Sequence, residues 1–310
     1  MTASTRAALL LPRPEGDLAR LVDAIREWWA GARRARDRLP WRERHDPWEV
    51  LVAETMLAQT QVGRVAARYD EFVGRFPTPE ACAMAPIGEV VRAWAGLGYN
   101  RRALTLHSAA VTIVRWHDGS VPQTFTALIA LPGVGPYTAR AVQAFAFMAD
   151  VAVVDTNVGR VLARAGAGRQ LRASEAQALA DGLVPAGHAR EWNLALMDFG
   201  SLVCSSRRPA CDGCPVHAAF ACAWRSRQAR APDPAAGSAR VTSRRTAFEG
   251  SDRQGRGRLV RAACSGPIAS RDLARIAGWP SDVARARRVV EALVGEGIFV
   301  RLPAGDFTLP

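Results

Sequence analysis

Apolar residues recur at three- and four-residue spacing from about residue 17 to residue 224. This spacing places them on one face of an α-helix. Proline and glycine interrupt the pattern at several points, and DVAVVD (150–155) is the one short segment that favours a strand. We therefore predict an all-α domain. Its clearest helical segments are LARLVDAIREWWAGA (18–32), PWEVLVAETMLAQTQVGRVAARYDEFVGRF (47–76), IGEVVRAWAGL (87–97) and RRALTLHSAAVTIVRWH (101–117).

The pattern changes after Trp224. Residues 225–247 are rich in Pro, Ala, Ser and Arg and have no periodicity, which is typical of a linker. Residues 248–310 predict three helices and then a hairpin, IFVRLPAGDFTL, that turns at Pro-Ala-Gly-Asp. That order favours a small winged-helix-like domain. The predicted organisation is a flexible N-terminus (1–17), a helical domain (18–224), the linker and a basic C-terminal domain.

The charge of the chain is strongly positive. It holds 41 Lys plus Arg residues against 29 Asp plus Glu, a formal net charge of +12, and every one of these cations is arginine. A GC-rich genome would explain arginine in place of lysine, but the positive excess itself favours a polyanionic partner such as nucleic acid. A chain without lysine cannot form a Schiff base through a lysine amine.

Neither end of the sequence predicts a membrane or secretory segment. No apolar run approaches the roughly 18 residues that a membrane span needs, and the N-terminal MTASTRAALLLPRPEG lacks a clear cleavage site. We therefore expect a cytoplasmic, nucleoid-associated monomer that contacts no membrane.

The segment LPGVGPY (131–137) connects two predicted helices through a tight turn. Its glycines remove side chains from the turn, so the backbone N–H groups at the next helix start are accessible to an anion. A helix-hairpin-helix unit of this kind holds a DNA phosphate without reading base sequence; the alternative is an ordinary glycine-containing connection. AGLGYNRRA (95–103) has similar glycine spacing. Together these segments offer Gly133, Val134, Gly135, Arg101 and Arg102 as candidate DNA contacts.

Four of the six cysteines fall within nineteen residues, spaced C-x6-C-x2-C-x7-C. Four thiolates on one short loop can hold a [4Fe–4S] cluster or a tetrahedral zinc ion. This clustering argues against a secreted disulfide scaffold. The other two cysteines, Cys82 and Cys264, are predicted to be buried small apolar residues. The predicted ligands are Cys204, Cys211, Cys214 and Cys222.

Two carboxylates stand in unusual surroundings. Glu54 lies inside the apolar helix WEVLVAETML, where desolvation would raise its affinity for a proton and suit it to general acid catalysis. The alternative is a paired glutamate on a partly exposed face. Asp155 follows VAVV and precedes TNVGRVLARA, which predicts the N-cap of a helix. A capping carboxylate is also held in a fixed position.

The order of these features resembles that of the helix-hairpin-helix DNA glycosylases that carry an iron–sulfur loop. Within that superfamily, the chain resembles the A/G-specific adenine glycosylases (the MutY type), over roughly residues 20–224. The resemblance rests on the motifs LPWRERHDPWEVLVAETMLAQTQV, GLGYNRRA, LPGVGPYTA and VVDTNVGRVLAR, followed by the cysteine loop.

The resemblance implies a mechanism. Glu54 is the acid that protonates N7 of a flipped-out adenine, and Asp155 stabilises the oxocarbenium-like sugar, as a second carboxylate does in O-glycoside cleavage. Asn157 orients Asp155 or a water molecule. The cysteine loop then holds a [4Fe–4S] cluster with a structural or DNA-docking role.

Tyr137 occupies the position at which the related endonuclease III type has a lysine that attacks the sugar. A phenol there, in a chain without lysine, implies base removal without efficient strand cleavage. By the same resemblance, Gln59 and Tyr99 push into the DNA stack when the base is extruded, and Gln61 lies among the DNA contacts. Trp41 lines the adenine pocket, although core packing would explain it nearly as well.

The chain departs from the family pattern in three ways. The last two cysteines of its cysteine loop, Cys214 and Cys222, are separated by seven residues instead of five, and Ala58-Gln59 replaces a common Gln-Gln pair. The usual C-terminal domain that recognises 8-oxoguanine is not visible. We predict a monofunctional glycosylase that excises adenine opposite 8-oxoguanine or guanine in double-stranded DNA. The alternatives are an endonuclease III-like glycosylase/lyase for oxidised pyrimidines and a non-enzymatic iron–sulfur DNA-binding regulator.

Overall fold

The computed structural model describes residues 15–32, 39–219, 221–226, 232–238 and 247–310. Most of the predicted flexible N-terminus, and much of the predicted linker, lies outside the described residues. The helices up to the cysteine loop are α1 (Glu15–Ala32), α2 (Pro47–Leu57), α3 (Val62–Ala66), α4 (Tyr69–Arg75), α5 (Pro79–Met84), α6 (Ile87–Ala93), α7 (Arg101–Trp116), α8 (Phe125–Ala130), α9 (Pro136–Phe145), α10 (Thr156–Val161), α11 (Ala173–Gly182) and α12 (Ala189–Leu202).

The remaining elements are shorter on average. A 3₁₀ turn covers Pro40–Glu43, and α10 continues as a π-helical turn over Leu162–Ala167. Within the part of the chain that is described, the only strands are two residues long, so the prediction of an all-α fold is confirmed. After α12 come α13 (Pro215–Ala218), α14 (Ala223–Ser226), α15 (Asp252–Ala263), α16 (Leu273–Ala277), α17 (Val283–Gly295), β1 (Val300–Arg301) and β2 (Phe307–Thr308).

The chain divides into two compact units. One unit contains Met1–Arg42 and Ala139–Arg244, and the other contains Glu43–Thr138 and Arg245–Pro310. We call them the cysteine-loop unit and the hairpin unit. The boundaries predicted from sequence, which place residues 18–224 in one domain, stay a prediction. In the described segments, no helix combines the length and apolarity that a membrane span would require.

The cysteine-loop unit is built around α1. Leu21, Ile25 and Trp29 of α1 are buried in one cluster with apolar side chains of α10, α11 and α12. The segment DVAVVD, predicted to favour a strand, forms none. Its backbone is held instead by a buried side chain, since Asn193 Oδ1 accepts the N–H of Val153 at 2.8 Å and Asn193 Nδ2 donates to Val151 O at 2.9 Å.

The middle of the predicted linker packs against this unit. Ser238 is buried and its Oγ accepts the N–H of Leu171 at 3.2 Å, while Gln170 Nε2 donates to Ala236 O at 2.7 Å. Asp233 forms an ion pair with Arg164 at 2.6 Å. The described linker residues 232–238 are therefore anchored, which the absence of periodicity did not indicate.

The hairpin unit begins with α2, which carries Glu54. Asp46 caps this helix, because its Oδ1 accepts the N–H groups of Trp48 at 2.9 Å and Glu49 at 3.0 Å, and Pro47 occupies the first helical position. Side chains all around α2 are buried, including Trp48 and Met56. A helix that is apolar on every side lies inside a core, so α2 is the central helix of the hairpin unit's first half.

The C-terminal residues complete the hairpin unit. Helices α15, α16 and α17 are followed by the antiparallel pair β1–β2, and Ile268 adds an isolated bridge to Phe307. This confirms the predicted order of three helices and a hairpin. The chain end packs on α6, where a Cβ at Gly88 would collide with the carbonyl oxygen of Pro310. The small domain is thus joined to the helices that precede the hairpin.

Candidate active site and DNA-contact loops

Glu54 is buried, as its apolar surroundings predict. Its side chain is 7% exposed, and its neighbours in α2 include the fully buried Leu51 and Met56. The alternative of a glutamate on a partly exposed face is therefore wrong. A buried carboxyl group favours its protonated form because desolvation penalises the charge. The burial predicted for Glu54 is thus confirmed, and its role as a general acid stays a prediction.

Two loops of the hairpin unit have a strained backbone. Gln59 has φ 62° and Tyr99 has φ 48°, and both are among the few non-glycine residues with positive φ in the described chain. Such residues occupy a sparsely populated region and cluster at functional sites. Gln59 is exposed and Tyr99 is 42% exposed. We call residues 58–60 and 98–100 the wedge loops, because Gln59 and Tyr99 are the residues predicted to enter the DNA stack.

Arg101 and Arg102 differ in their surroundings. Arg101 is exposed, as a phosphate contact requires. The guanidinium of Arg102 is instead half-buried and donates to the backbone of both wedge loops. The expectation that Arg102 contacts phosphate is therefore corrected. Gln61 is exposed at the N-cap position of α3 and makes no capping hydrogen bond with its side chain.

The hairpin between α8 and α9 needs its first glycine. Gly133 has φ 78°, and a Cβ there would lie 2.7 Å from Cβ and Oγ1 of Thr105 in α7. Both the backbone conformation and the close approach exclude larger residues. The N–H of Val134 donates to Leu131 O at 3.1 Å and closes the turn. Gly135 has neither a positive φ nor an atom close to the position of a Cβ. Tyr137 is half-buried in the first turn of α9.

Asp155 caps α10 in the cysteine-loop unit. Its Oδ1 accepts the N–H groups of Asn157 at 2.8 Å and Val158 at 2.7 Å, and its Oδ2 accepts from Asn157 Nδ2 at 3.0 Å. The predicted N-cap is confirmed. Burial raises the pKa of Asp155, while the hydrogen bonds from Val158 and Asn157 and the positive charge of Arg160 oppose that shift. Three donors therefore hold the carboxylate in one orientation.

Arg160 connects Asp155 to the cysteine loop. It is 5% exposed, and its Nη2 donates to Asn157 Oδ1 at 2.8 Å while its Nε donates to Cys204 O at 2.7 Å. Nη2 also donates to Gly200 O in α12. The sequence analysis did not identify this residue; the one signal available was that the otherwise apolar VGRVLARA contains two arginines, Arg160 and Arg164.

Arg164, one helical turn later, binds the cysteine loop directly. Its Nη1 donates to Ser205 O at 2.7 Å and lies 3.6 Å from Cys204 Sγ. Its Nε and Nη2 donate to the two carboxylate oxygens of Asp233 at 2.9 and 2.6 Å. This side chain is 2% exposed, so a buried cation stands beside the predicted ligands. Such a charge stabilises thiolates.

The four predicted ligands line one cavity, together with Arg164, His217 and Trp224. Cys222 is among them despite its unusual spacing. Over the described residues, no three Cys, His, Asp or Glu side chains converge on a point where they could hold one metal ion. Burial raises the pKa of Cys214 to about 11. The lining thiols are those of Cys204, Cys211, Cys214 and Cys222.

The two remaining cysteines have different environments. Cys82 is fully buried and burial raises its pKa to about 12, which confirms the prediction of an inert core residue. Cys264 is only half-buried at the end of α15. The expectation that Cys264 is a core residue is therefore wrong, because α15 presents its last turn partly to solvent.

Trp41 lies half-buried in the 3₁₀ turn of the cysteine-loop unit. The next residue fixes this turn, since Arg42 donates to both carboxylate oxygens of Asp198 in α12 at 3.0 and 2.6 Å. Trp29 Nε1 donates to the same carboxylate at 3.2 Å. Asp198 is buried, and sequence reasoning found neither member of this pair. The segment that carries Trp41 is thus held on α12 by a buried ion pair.

The structure groups the predicted site residues by unit. The hairpin unit contains the wedge loops, the hairpin, Glu54 and Tyr137. In this unit, helix α7 contacts the hairpin through Thr105 and the wedge loops through Arg102. Asp155, Asn157 and the four ligand cysteines belong to the cysteine-loop unit, together with Trp41. Within that unit, Arg160 bridges Asn157 and Cys204.

Comparison with known proteins agrees with this architecture. A family model described as HhH-GPD superfamily base excision DNA repair protein matches residues 52–186. A solved structure of a thermostable thymine-DNA glycosylase has TM-score 0.61 at 31% identity and covers 69% of this chain and 99% of its own. A trapped endonuclease III–DNA covalent intermediate has TM-score 0.60 at 22% identity, covering 69% and 98%, and supports the fold alone.

The sequence relatives are more specific. The chain is 44% identical over 282 residues to an adenine DNA glycosylase of Mycobacterium tuberculosis (strain H37Rv), and the match covers 88% of each protein. The predicted helix-hairpin-helix glycosylase fold is thereby confirmed. At this identity and coverage, the chain belongs to the adenine DNA glycosylase family, within the HhH-GPD superfamily of base excision DNA repair proteins.

Proposed function

We propose that this protein is a monofunctional DNA glycosylase that releases adenine mispaired with 8-oxoguanine or guanine in double-stranded DNA. One observation supports this most directly. In a member of the adenine glycosylase family, the carboxylate of Asp155 is fixed by three donated hydrogen bonds from Asn157 and Val158. A preoriented anion of this kind is suited to oppose positive charge that develops on a sugar.

The proposed reaction begins with protonation of the base. The carboxylic acid of Glu54 donates its proton to N7 of the extruded adenine, and the C1′–N9 bond breaks with its electron pair moving to the base. The carboxylate of Asp155 stabilises the resulting oxocarbenium-like sugar. Water then adds to C1′ and gives up a proton that restores Glu54, which leaves free adenine and an abasic site. Asn157 keeps Asp155 in position.

Tyr137 and the composition of the chain support base removal without strand cleavage. A lyase of the endonuclease III kind needs an amine that forms a Schiff base with the opened sugar. The chain has no lysine, and the corresponding position is a phenol. A tyrosine at the start of α9 is proposed to bond to the surroundings of the sugar without attacking it.

The four cysteines of the lined cavity are proposed to hold a [4Fe–4S] cluster. When bound, such a cluster keeps its thiolate ligands deprotonated and ties the loop between α12 and α14 into one unit. The buried guanidinium of Arg164 beside Cys204 adds positive charge to that site. The chain's own residues then transmit the position of the loop to Asp155 through Arg160.

The DNA-contact surface is proposed to include both wedge loops and the hairpin. Inserted side chains offset the cost of extruding a base, which is a few kcal/mol. Trp41 is proposed to line the adenine pocket, and the protein to act as a monomer. The proposed contacts are Gln59, Gln61, Tyr99, Arg101, Gly133, Val134 and Gly135.

An assay of base release distinguishes the proposal from its alternatives. Duplexes with adenine opposite each normal base and 8-oxoguanine should show release opposite 8-oxoguanine and guanine, with nicking only after alkali. Covalent trapping of the DNA by borohydride would favour an endonuclease III-like lyase instead. Release of thymine from a T·G duplex would instead favour a thymine-DNA glycosylase, the activity in the name of the structural relative with TM-score 0.61. Sequence-specific DNA binding without any base release would favour a regulator.

A further inference from the structure

One guanidinium, that of Arg102, joins the two wedge loops. Its Nη2 donates to Gly98 O at 3.0 Å in one loop and to Thr60 Oγ1 at 2.8 Å in the other. Its Nη1 donates to Ala58 O at 2.6 Å. The loops are also linked directly, since Thr60 Oγ1 donates to Leu97 O at 3.2 Å. The residues that Arg102 binds thus flank Gln59 on both sides and precede Tyr99.

The same guanidinium caps the helix that carries Glu54. Nη1 also donates to Thr55 O at 2.7 Å and to Met56 O at 2.9 Å. The last carbonyls of an α-helix have no partner within the helix, and a cation there also interacts favourably with the helix dipole. Arg102 therefore satisfies two C-terminal carbonyls of α2, those of the two residues that follow Glu54.

The wedge loops need such support because their backbone is strained. Gln59 and Tyr99 both occupy the left-handed region, with φ 62° and 48°. Non-glycine residues remain there only when surrounding contacts enforce the conformation. The ring of Tyr99 also lies 5.5 Å from the Arg102 guanidinium carbon, and that of Trp94 lies 5.3 Å from it. Cation–π contacts of this kind restrict the orientation of both rings.

No other side chain type can replace this set of contacts. A planar guanidinium offers five donors in a fixed fork, whereas a lysine ammonium is a compact charge with three. Burial lowers the pKa of Arg102 to about 10, which leaves it charged at neutral pH. Its donors are directed to the protein's own carbonyls, so its role differs from that of the exposed Arg101.

We propose that Arg102 is a positioning residue for base extrusion. It holds Gln59 and Tyr99 in their strained conformations before DNA binds, and it fixes the end of the Glu54 helix relative to them. Because Gln59 and Tyr99 already have their final conformation, less conformational entropy is lost when they enter the DNA stack. This inference rests on the proposed function, because it assigns to Gln59 and Tyr99 the insertion into DNA that the function requires.

The test measures extrusion separately from chemistry. A duplex with 2-aminopurine opposite 8-oxoguanine reports unstacking as a rise in fluorescence, read before any cleavage. Arg102→Lys and Arg102→Met should both lower this amplitude, with Lys less severe, and should slow single-turnover adenine release by about 10- to 100-fold. Affinity for undamaged duplex should change little, because Arg102 is not directed at phosphate.

Leu106→Ala is the matched control. Leu106 is buried in α7, one turn after Arg102, and its truncation should destabilise the same helix while leaving every hydrogen-bond donor of Arg102 in place. At equal loss of Tm, Leu106→Ala should retain the fluorescence amplitude. The inference is overturned if the Arg102 variants lose no more amplitude than Leu106→Ala, or if wild-type protein gives no rise. A wild-type protein that extrudes the base but releases no adenine would instead sink the proposed function and leave the role of Arg102 supported.

Discussion

Each of the two units has an arginine that hydrogen-bonds to the protein's own groups, but the two arginines hold different structures. In the hairpin unit, Arg102 binds backbone carbonyls and holds two strained, exposed loops. In the cysteine-loop unit, Arg160 donates to Asn157 Oδ1 and to Cys204 O, and Asn157 in turn donates to the capping carboxylate of Asp155. One arrangement prepares a surface for a large partner, and the other preserves the orientation of a single charged group. The comparison shows that residue type alone does not assign a role to an arginine.

The largest expected effect is on Asp155 in the cysteine-loop unit. Asn is nearly isosteric and also caps helices, so Asp155→Asn should leave Tm close to that of the wild type. Loss of the negative charge should slow single-turnover adenine release by about 10²-fold or more. Extrusion of 2-aminopurine should be retained. An Asp155→Asn protein with near wild-type release rates would show that this carboxylate does not act on the sugar.

The pH dependence of release distinguishes the two arginines. Burial raises the pKa of Asp155, and the hydrogen bonds from Val158 and Asn157 and the charge of Arg160 lower it by less. Because the active form is the carboxylate, release should fall as pH drops through this raised pKa. Removing the positive charge in Arg160→Met should raise the pKa further and move the acid limb to higher pH.

Arg102→Met serves as the comparison for that experiment. It should slow release at every pH without moving the acid limb, because the groups that shift the pKa of Asp155 are Val158, Asn157 and Arg160. Single-turnover rates across the acid range measure both variants. If wild type and Arg160→Met lose activity over the same acid pH range, Arg160 does not influence the pKa of Asp155.

Cluster ligation should depend on the cysteine with the unusual spacing. Protein purified without oxygen should contain four irons per chain, and Cys222→Ser should lose iron and visible absorbance faster on exposure to air. Cys264→Ser is the control, because Cys264 lies outside the lined cavity and should retain wild-type iron content. Zinc in place of iron, or full iron retention in Cys222→Ser, would contradict the proposed ligand set.

The smallest expected effect concerns the anchored linker. Asp233→Asn removes the charge from a carboxylate that accepts two hydrogen bonds from Arg164, which should cost about 1–3 kcal/mol of unfolding free energy. Denaturant unfolding measures this loss, with the exposed Glu249→Gln as a control. Iron retention should fall in parallel if the Asp233–Arg164 pair supports the cysteine loop, and an unchanged stability would show that residues 232–238 are not anchored in solution.

Features that depend on neighbouring residues could be predicted from the sequence. The cap at Asp155, the burial of Glu54, the hairpin glycine Gly133 and the hairpin at the chain end all follow from local spacing and residue type. The pairing of Arg164 with Asp233 could not be predicted, because it joins residues 69 positions apart. In a chain whose cations are all arginine, composition does not separate a buried guanidinium from a solvated one. Arg102 was assigned to phosphate for this reason.

DVAVVD illustrates the same limit. Its apolar residues favour a strand, yet the segment bonds to Asn193 and forms no ladder. A strand needs a partner, and the partner's presence is a property of the tertiary structure. Cys222 is the opposite case, since its spacing departs from the family pattern and the fold nevertheless places it in the cavity with the other three thiols.

The central claim is that a buried acid and a fixed carboxylate together release adenine without cutting the strand. Single-turnover kinetics on a duplex with adenine opposite 8-oxoguanine, analysed with and without alkali, test it most directly. Wild-type protein should yield abasic product that is nicked only after alkali, and Glu54→Gln should be slower by about 10²- to 10⁴-fold. Strand nicking without alkali, or equal rates for wild type and Glu54→Gln, would contradict the account.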